Sequence, residues 1–362
     1  MLRSRNNLFS AIKGIGIILM VMGHCGIPDY WGKIIYEFHM PLFFFCSGYF
    51  FKNVESKSSL FYFFKRRIKG IYLKYICWSL VFLALHNVFF QLNIYNDIIP
   101  YHGECSYIYQ SSDFLYKAIK IVFSMNEHEQ LLRSFWFMKQ LFLASLFVST
   151  CIYLSNKLTH YNHIHLVVLI CLLIMTVISK GLKWTLPAVW DISLVFMSST
   201  FYLSGYIFNR YNLLTKIGNI WISILCIVVL LTGGFVLPWT NMLEYNLITV
   251  IPFVTTATSG TILTINISHR IEAYKIKYLF YYLGQNTMVI FSLHMLCFKI
   301  GNLIKIELYN MPLYRLAEFQ IIYEHNTLFW IIYSIIGISI PLILDYLMKS
   351  SKYTRRIWKF FV

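Results

Sequence analysis

The stretch FSAIKGIGIILMVMGHCGIPDYWGKIIYEFHMPLFFFCSGYFF, Phe9–Phe51, decides how the rest of the chain is understood. It holds two apolar runs, each close to the length of about 20 residues that a helix needs to cross a bilayer core. Inside those runs stand Lys13, His24 and His39. Ionisable groups are expensive in hydrocarbon and mark pockets or pathways when they occur there. The stretch therefore points at once to a membrane fold and to a catalytic core.

The remainder of the chain agrees. Of its 362 residues, 58% are hydrophobic, 19% aromatic and 13% charged, with a mean hydropathy of +0.61. A soluble domain could not keep this composition out of water, so the fold class is all-α and the protein is a polytopic integral membrane protein. The formal charge of +16 does not indicate nucleic acid, because the basic residues stand between apolar runs, where cytoplasmic loops meet anionic headgroups. Membrane lipids are the expected partners and nucleic acid is not. The eight cysteines show no CxxC or Cys/His ligand spacing and read as small buried hydrophobes rather than disulfides or zinc ligands. No metal is implied. The first apolar run carries Lys13 and no small-residue cleavage site, so a retained first span is expected rather than a signal peptide.

Apolar runs predict about ten spans: Leu8–Ile27, Ile34–Phe51, Ile71–Leu92, Phe137–Leu154, Ile164–Ser179, Ile192–Phe208, Ile217–Val236, Leu247–Ile267, Leu279–Ile300 and Leu328–Met348. With the N-terminus inside, roughly 20 Lys and Arg fall on the cytoplasmic side and about 10 outside, Lys13 being counted as intramembrane. Both termini are expected to be cytoplasmic, including the basic tail Lys349–Lys359. Acids including Asp29, Glu37, Glu127 and Glu129 gather on the outer side. Two outer connections are long, Asn93–Trp136 and Asn302–Thr327, and either caps a substrate cleft or serves as a solvated spacer. Pro41, Ser47-Gly48 and Ser204-Gly205 are expected to interrupt their helices, with the second span kinked toward a cavity. The chain is taken as a single transmembrane domain over residues 1–362.

Lys13 and His24 stand eleven residues apart, which on a helix is three turns, nearly one face and roughly 16 Å along the axis. Lys13 lies toward the cytoplasm and His24 toward the outer end. Snorkelling to headgroups is the structural alternative for Lys13, and an interhelical hydrogen bond is that for His24. Lys65-Arg66-Arg67-Ile68-Lys69, preceded by Phe61 to Phe64, opens the third span and suits lipid headgroups or the phosphates of a nucleotide-bearing donor. His294 is a further intramembrane imidazole, in the ninth span. Trp136-Phe137 suits an aromatic belt. His24 and Asp29 match an HxxxxD spacing that is frequent by chance, leaving Asp29 as an orienter of His24 at most.

Taken together these residues resemble the membrane-bound acyltransferase-3 family, in its branch similar to fucose 4-O-acetylase. Lys13 and His24 resemble that family's Arg-x10-His, Phe38-His39-Met40-Pro41-Leu42-Phe43-Phe44-Phe45-Cys46-Ser47-Gly48 its FHMPLFFxxSG segment, and Arg66-x-x-Lys69 its RxxR. Trp136-Phe137 and the Gly284–His294 stretch also fit. Lys13 and Lys69 stand where the family has arginines, which keeps the charge and loses the bidentate fork. The resemblance implies transfer of acetyl from cytoplasmic acetyl-CoA to a sugar hydroxyl of a surface polysaccharide or its lipid-linked precursor, in a bacterial cytoplasmic membrane. It assigns His24 as the catalytic base, His39, Ser47 and His294 to the pocket as relay or oxyanion donors, and Arg66, Arg67, Lys69 and Lys13 to the donor. A cavity lined by Lys13, His24, His39 and His294 would connect the two sides. The alternative class is a polysaccharide exporter, in which the same Lys and His form a substrate or proton pathway.

Overall fold

Apolar runs in a bilayer must satisfy their own backbone polar groups, and the α-helix does this within one segment. In the computed structural model, which describes residues 2–126, 129–158, 163–186 and 190–362, the regular structure is accordingly almost all helix. Helices α1 (Leu2–Gly23) and α2 (Asp29–Tyr49) come first, then α3 (Lys57–Arg67), which runs through a π-helical turn, Ile68–Tyr72, into α4 (Leu73–Gln91). After α5 (Ser111–Ser124) follow α6 (Trp136–Leu158), α7 (Ile164–Gly181), α8 (Ile192–Arg210), α9 (Ile220–Val236) and α10 (Val250–Ile271). The chain ends with α11 (Lys277–Gln285), α12 (Thr287–Leu308), α13 (Phe329–Ser350) and α14 (Lys352–Trp358). A two-residue antiparallel ladder pairs Thr185 with Asp191 and Leu186 with Trp190.

Among the described residues six helices are long and apolar enough to cross a membrane: Lys57–Gln91, Gln130–Leu158, Ile164–Gly181, Val250–Ile271, Thr287–Leu308 and Phe329–Ser350. Asn7–Gly23 and Ile220–Val236 are apolar but shorter. The expected ninth span, Leu279–Ile300, has the wrong frame. Asn286 separates α11 from α12 with a non-helical backbone (φ −108°, ψ 20°), and α12 runs eight residues past Ile300 to Leu308.

The chain forms two compact units. One comprises the residues up to Met20, Asp29–Ile71 and Phe137–Gln285. In it α2 and α8 cross at reciprocal glycines: a Cβ on Gly48 would strike the carbonyl oxygen of Tyr202, and one on Gly205 that of Phe45. Ser47-Gly48 and Ser204-Gly205 are thus contact points rather than interruptions, since α2 runs unbroken through Pro41 to Tyr49 and α8 to Arg210. The same device joins α1 to α11, where Gly14 meets the Phe280 carbonyl and Gly284 that of Ser10. Small residues let backbones approach where lipid gives no hydrophobic drive to helix association. Phe9 then stacks on Tyr49 at 4.1 Å.

The other unit comprises Val21–Pro28, Tyr72–Trp136 and Asn286–Val362. Its basic C-terminal segment is docked rather than free in solvent: Trp358 Nε1 donates to Asp345 Oδ1 at 2.7 Å, and Trp78 Nε1 donates to the Phe361 carbonyl at 3.1 Å. The long connection after Asn93 is also structured. It contains α5, and a buried pair, His86 Nδ1 and Glu129 Oε2 at 2.7 Å, ties its far end to α4. The His86 ring stacks on Tyr109 at 3.4 Å. Glu127 lies outside the described residues.

Gly48→Ala and Gly205→Ala should each cost about 1–3 kcal/mol through forced separation of α2 and α8. Gly218→Ala, where an added Cβ meets nothing within 4 Å, should be neutral. Thermal unfolding of the purified protein in detergent distinguishes the two classes.

Candidate active site

The predicted site residues divide between the units. Lys13, His39, Ser47, Arg66, Arg67 and Lys69 belong to the first, His24 and His294 to the second. In the first, Lys13 on α1 is half-buried, within electrostatic reach of Cys46 on α2. His39 is 2% exposed and its Nδ1 donates to the Ile35 carbonyl at 2.8 Å, a bond inside its own helix. Ser47 and Arg67 both hydrogen-bond the hydroxyl of Tyr202 on α8, Arg67 at 2.5 Å with its guanidinium over Phe63 at 4.8 Å. Tyr202, which the sequence did not single out, therefore joins the Ser47 segment to the basic cluster. Arg66 and Lys69 are exposed, one at the end of α3 and the other in the π-helical turn. Such turns are rare and gather at functional sites. Phe137 packs edge-on to Phe44 at 4.9 Å, so it serves the core of this unit as well as any belt.

Two features of the first unit escaped the sequence. Glu37, grouped there with the outer acids, is 1% exposed, and its Oε2 has no hydrogen-bond partner among the described residues. A cavity of about 640 Å³ is lined by Lys180, Lys183, Trp184, Asp191, Asn246 and neighbours, none of them a predicted site residue.

The second unit brings two of the predicted imidazoles together. His24 follows the last residue of α1, and its ring centroid lies 5.4 Å from that of His294 on α12. His294 is 1% exposed, with Nδ1 facing the carbonyls of Ile290 at 3.1 Å and Phe291 at 2.9 Å. Carbonyls only accept, so Nδ1 carries the proton and Nε2 is left with a lone pair. That nitrogen is buried and has no hydrogen-bond partner among the described residues. An imidazole in this state can accept a proton, and an unsatisfied buried group of this kind calls for an explanation.

His24 is met by a residue from the connection between α12 and α13. Gln320 Nε2 lies 3.1 Å from His24 Nδ1. Asp29, the orienter the sequence offered, instead opens α2, where a carboxylate suits the helix N-terminus. The segment carrying Gln320 is pinned from α12. Lys299 Nζ donates to the carbonyls of Leu316 at 2.9 Å and Glu318 at 2.7 Å, and Lys305 Nζ to that of Ile322 at 2.7 Å. Asn302 Oδ1 accepts from the Ile322 amide at 3.2 Å and the Tyr333 hydroxyl at 2.7 Å. Lys299, Asn302 and Lys305 are three residues apart and share one helix face. All three are buried, Lys305 completely, with its ammonium 4.7 Å from the Phe329 ring. The sequence did not mark them as a set because the predicted ninth span ended at Ile300, between Lys299 and Asn302. A shift to the frame set by Asn286 would have put two lysines and an asparagine on one face of a span.

A helical protein with several membrane-crossing segments and a buried imidazole beside a half-buried one is an integral membrane protein with a candidate proton-transfer site. The family model described as "Acyltransferase domain" matches residues 7–346. The chain therefore belongs to the acyltransferase-3 family and is a membrane acyltransferase. No curated protein and no solved structure gives a significant match.

Lys305→Met leaves the Ile322 carbonyl without its donor, which costs about 1–3 kcal/mol for a buried acceptor. Hydrogen exchange of the Leu316–Ile322 amides should accelerate by roughly tenfold or more, while α6 amides exchange as in the parent. Unchanged exchange in the loop would show that the ammonium does not hold it.

Proposed function

We propose that this acyltransferase moves an acetyl group from acetyl-CoA, bound from the cytoplasm, to a sugar hydroxyl of a surface polysaccharide or its lipid-linked precursor, as a fucose 4-O-acetylase-like enzyme of a bacterial cytoplasmic membrane. The observation that carries this reading is the His24–His294 pair, 5.4 Å between ring centroids, with a buried lone pair on His294 that has no partner among the described residues. His24 removes the proton of the acceptor hydroxyl as the oxygen attacks the thioester carbonyl. The tetrahedral intermediate then collapses with loss of the CoA thiolate, which takes the proton back. Imidazole suits both transfers because its unperturbed pKa lies near neutrality, and a positioned general base contributes about 10²–10⁴-fold. His294 Nε2 extends the proton path. In the other unit, His39 and Ser47 lie on the family-like segment of α2, Ser47 bonded to Tyr202.

On the donor side, Arg66 and Lys69, exposed like Lys65 beside them, take the CoA phosphates, with the half-buried Lys13 a further cation for the donor. Arg67 braces the cluster through Tyr202. A lysine at position 69 binds phosphate as a point charge rather than as a bidentate fork, so charge matters more than planarity there. In a ten-span arrangement with both termini cytoplasmic, which is part of this proposal, these cations face the donor side and His24 the acceptor side. The family match supports transfer, and nothing in it favours an exporter.

Mass spectrometry of surface glycans from a deletion strain carrying either the parental gene or His24→Ala tests the reading. The expected result is polymer displayed in both strains, with the mass increment of one acetyl group missing from the variant. Full acetylation by a folded, inserted His24→Ala protein overturns the role of His24, and polymer trapped inside the deletion strain overturns transfer in favour of export.

A further inference from the structure

We propose that Gln320 is a positioning residue for His24: its side-chain amide holds the imidazole through Nδ1 and assigns the proton chemistry to Nε2. This deepens the reading above and rests on it, since it concerns the imidazole taken there as the base. The first support is the contact itself, 3.1 Å between Gln320 Nε2 and His24 Nδ1. An amide has a donor end and an acceptor end. Its NH₂ end donates to an Nδ1 lone pair and stabilises the tautomer with the proton on Nε2. Rotated by a half-turn, its oxygen accepts an Nδ1–H, which leaves Nε2 as the base and then supports the imidazolium once Nε2 has taken a proton. The hydrogen bond made by one ring nitrogen sets the state of the other. The donating orientation thus holds a resting tautomer that is not basic at Nε2, and the accepting orientation holds both the base and the imidazolium it becomes, so rotation of one amide brings His24 into its competent state.

The second support is the way Gln320 is held. Its φ is 61°, the left-handed region that residues other than glycine adopt uncommonly. The backbone on both sides is fixed from α12: Lys299 binds the carbonyls of Leu316 and Glu318 before it, and Asn302 and Lys305 bind the amide and carbonyl of Ile322 after it. Arg315 adds an ion pair to Glu318 at 2.5 Å and another to Glu324. Two ammonium groups buried in a span to immobilise seven residues of loop are costly in hydrocarbon. Presentation of Gln320 to His24 is what that investment accomplishes. The titratable group facing His24 from α12 is His294. Lys299 and Lys305 are directed at loop carbonyls, and the Glu318 carboxylate at Arg315.

The test uses full-length protein in lipid nanodiscs, ¹⁵N-labelled at histidine, with the His24 signals identified by their loss in His24→Ala. Three proteins are compared: parent, Gln320→Leu, which can neither donate nor accept, and Gln320→Glu, which accepts. In Gln320→Glu the His24 titration midpoint should rise by about one pH unit or more, because a carboxylate stabilises the imidazolium. In Gln320→Leu the parental tautomer ratio should be lost, and glycan O-acetylation in the complemented strain should fall by about 10²-fold, the scale expected for a misplaced catalytic group. Retention of the His294 signals shows that each variant is folded. A His24 tautomer and titration unchanged in Gln320→Leu overturn the proposal, as does a changed tautomer with undiminished acetylation. Full acetylation by His24→Ala is a separate result: it overturns the general-base reading whatever the Gln320 variants do.

Discussion

A charge inside a membrane-crossing helix must find oxygen, and in this protein that requirement organises the candidate site. The ammonium groups of Lys299 and Lys305 are removed from water and compensated by three carbonyls of the Leu316–Ile322 segment, with Asn302 completing the set on the same face. Because those carbonyls belong to a loop, satisfying the charges also fixes the loop. The buried lysines, the left-handed Gln320 and its contact with His24 are thus successive results of one electrostatic constraint. Net contributions of buried hydrogen bonds to charged groups are modest, about 1.5–3 kcal/mol, but leaving such a charge unpaired is far worse. The arrangement is therefore specific even where it adds little stability.

Helix packing in the other unit obeys a different constraint, that of space. Gly48 with Gly205 and Gly14 with Gly284 each put a backbone carbonyl where a side chain would be. The α2–α8 crossing brings Ser47 to the hydroxyl of Tyr202, and Tyr202 in turn receives Arg67. The basic cluster is therefore divided within a few residues: Arg67 is part of the packing, while Arg66 and Lys69 are exposed.

Much of this was legible in the chain. Apolar runs locate the helices because length and hydropathy are local properties, and the Phe38–Gly48 segment is specific enough to suggest the family by itself. What composition could not show was partnership. Ser47-Gly48 and Ser204-Gly205 were visible as small residues, but whether glycine breaks a helix or admits a neighbour depends on the neighbour. Glu37 was grouped with the outer acids because the pattern does not distinguish an outer carboxylate from a buried one one turn deeper. Gln320 was silent, since a single amide in a polar loop has no periodicity. The end of the ninth span was misplaced for a simpler reason: a hydropathy window favours the most apolar frame, which stops at Ile300, so Lys299 fell inside the span and Lys305 outside it.

That misplacement is physically instructive, because a membrane-insertion apparatus faces the same segment with the same partial information. Translocon scales charge about 2.5–3.5 kcal/mol for a lysine near the middle of a crossing helix. The carbonyls that compensate Lys299 and Lys305 lie in Leu316–Ile322, C-terminal to α12, and leave the ribosome after it. When α12 first meets lipid its two lysines are therefore uncompensated, and only the next dozen or so residues bring the carbonyls that satisfy them. The order of synthesis thus links the maturation of this helix to the folding of the loop that reaches His24, so that the segment completing the membrane insertion is the one that completes the site.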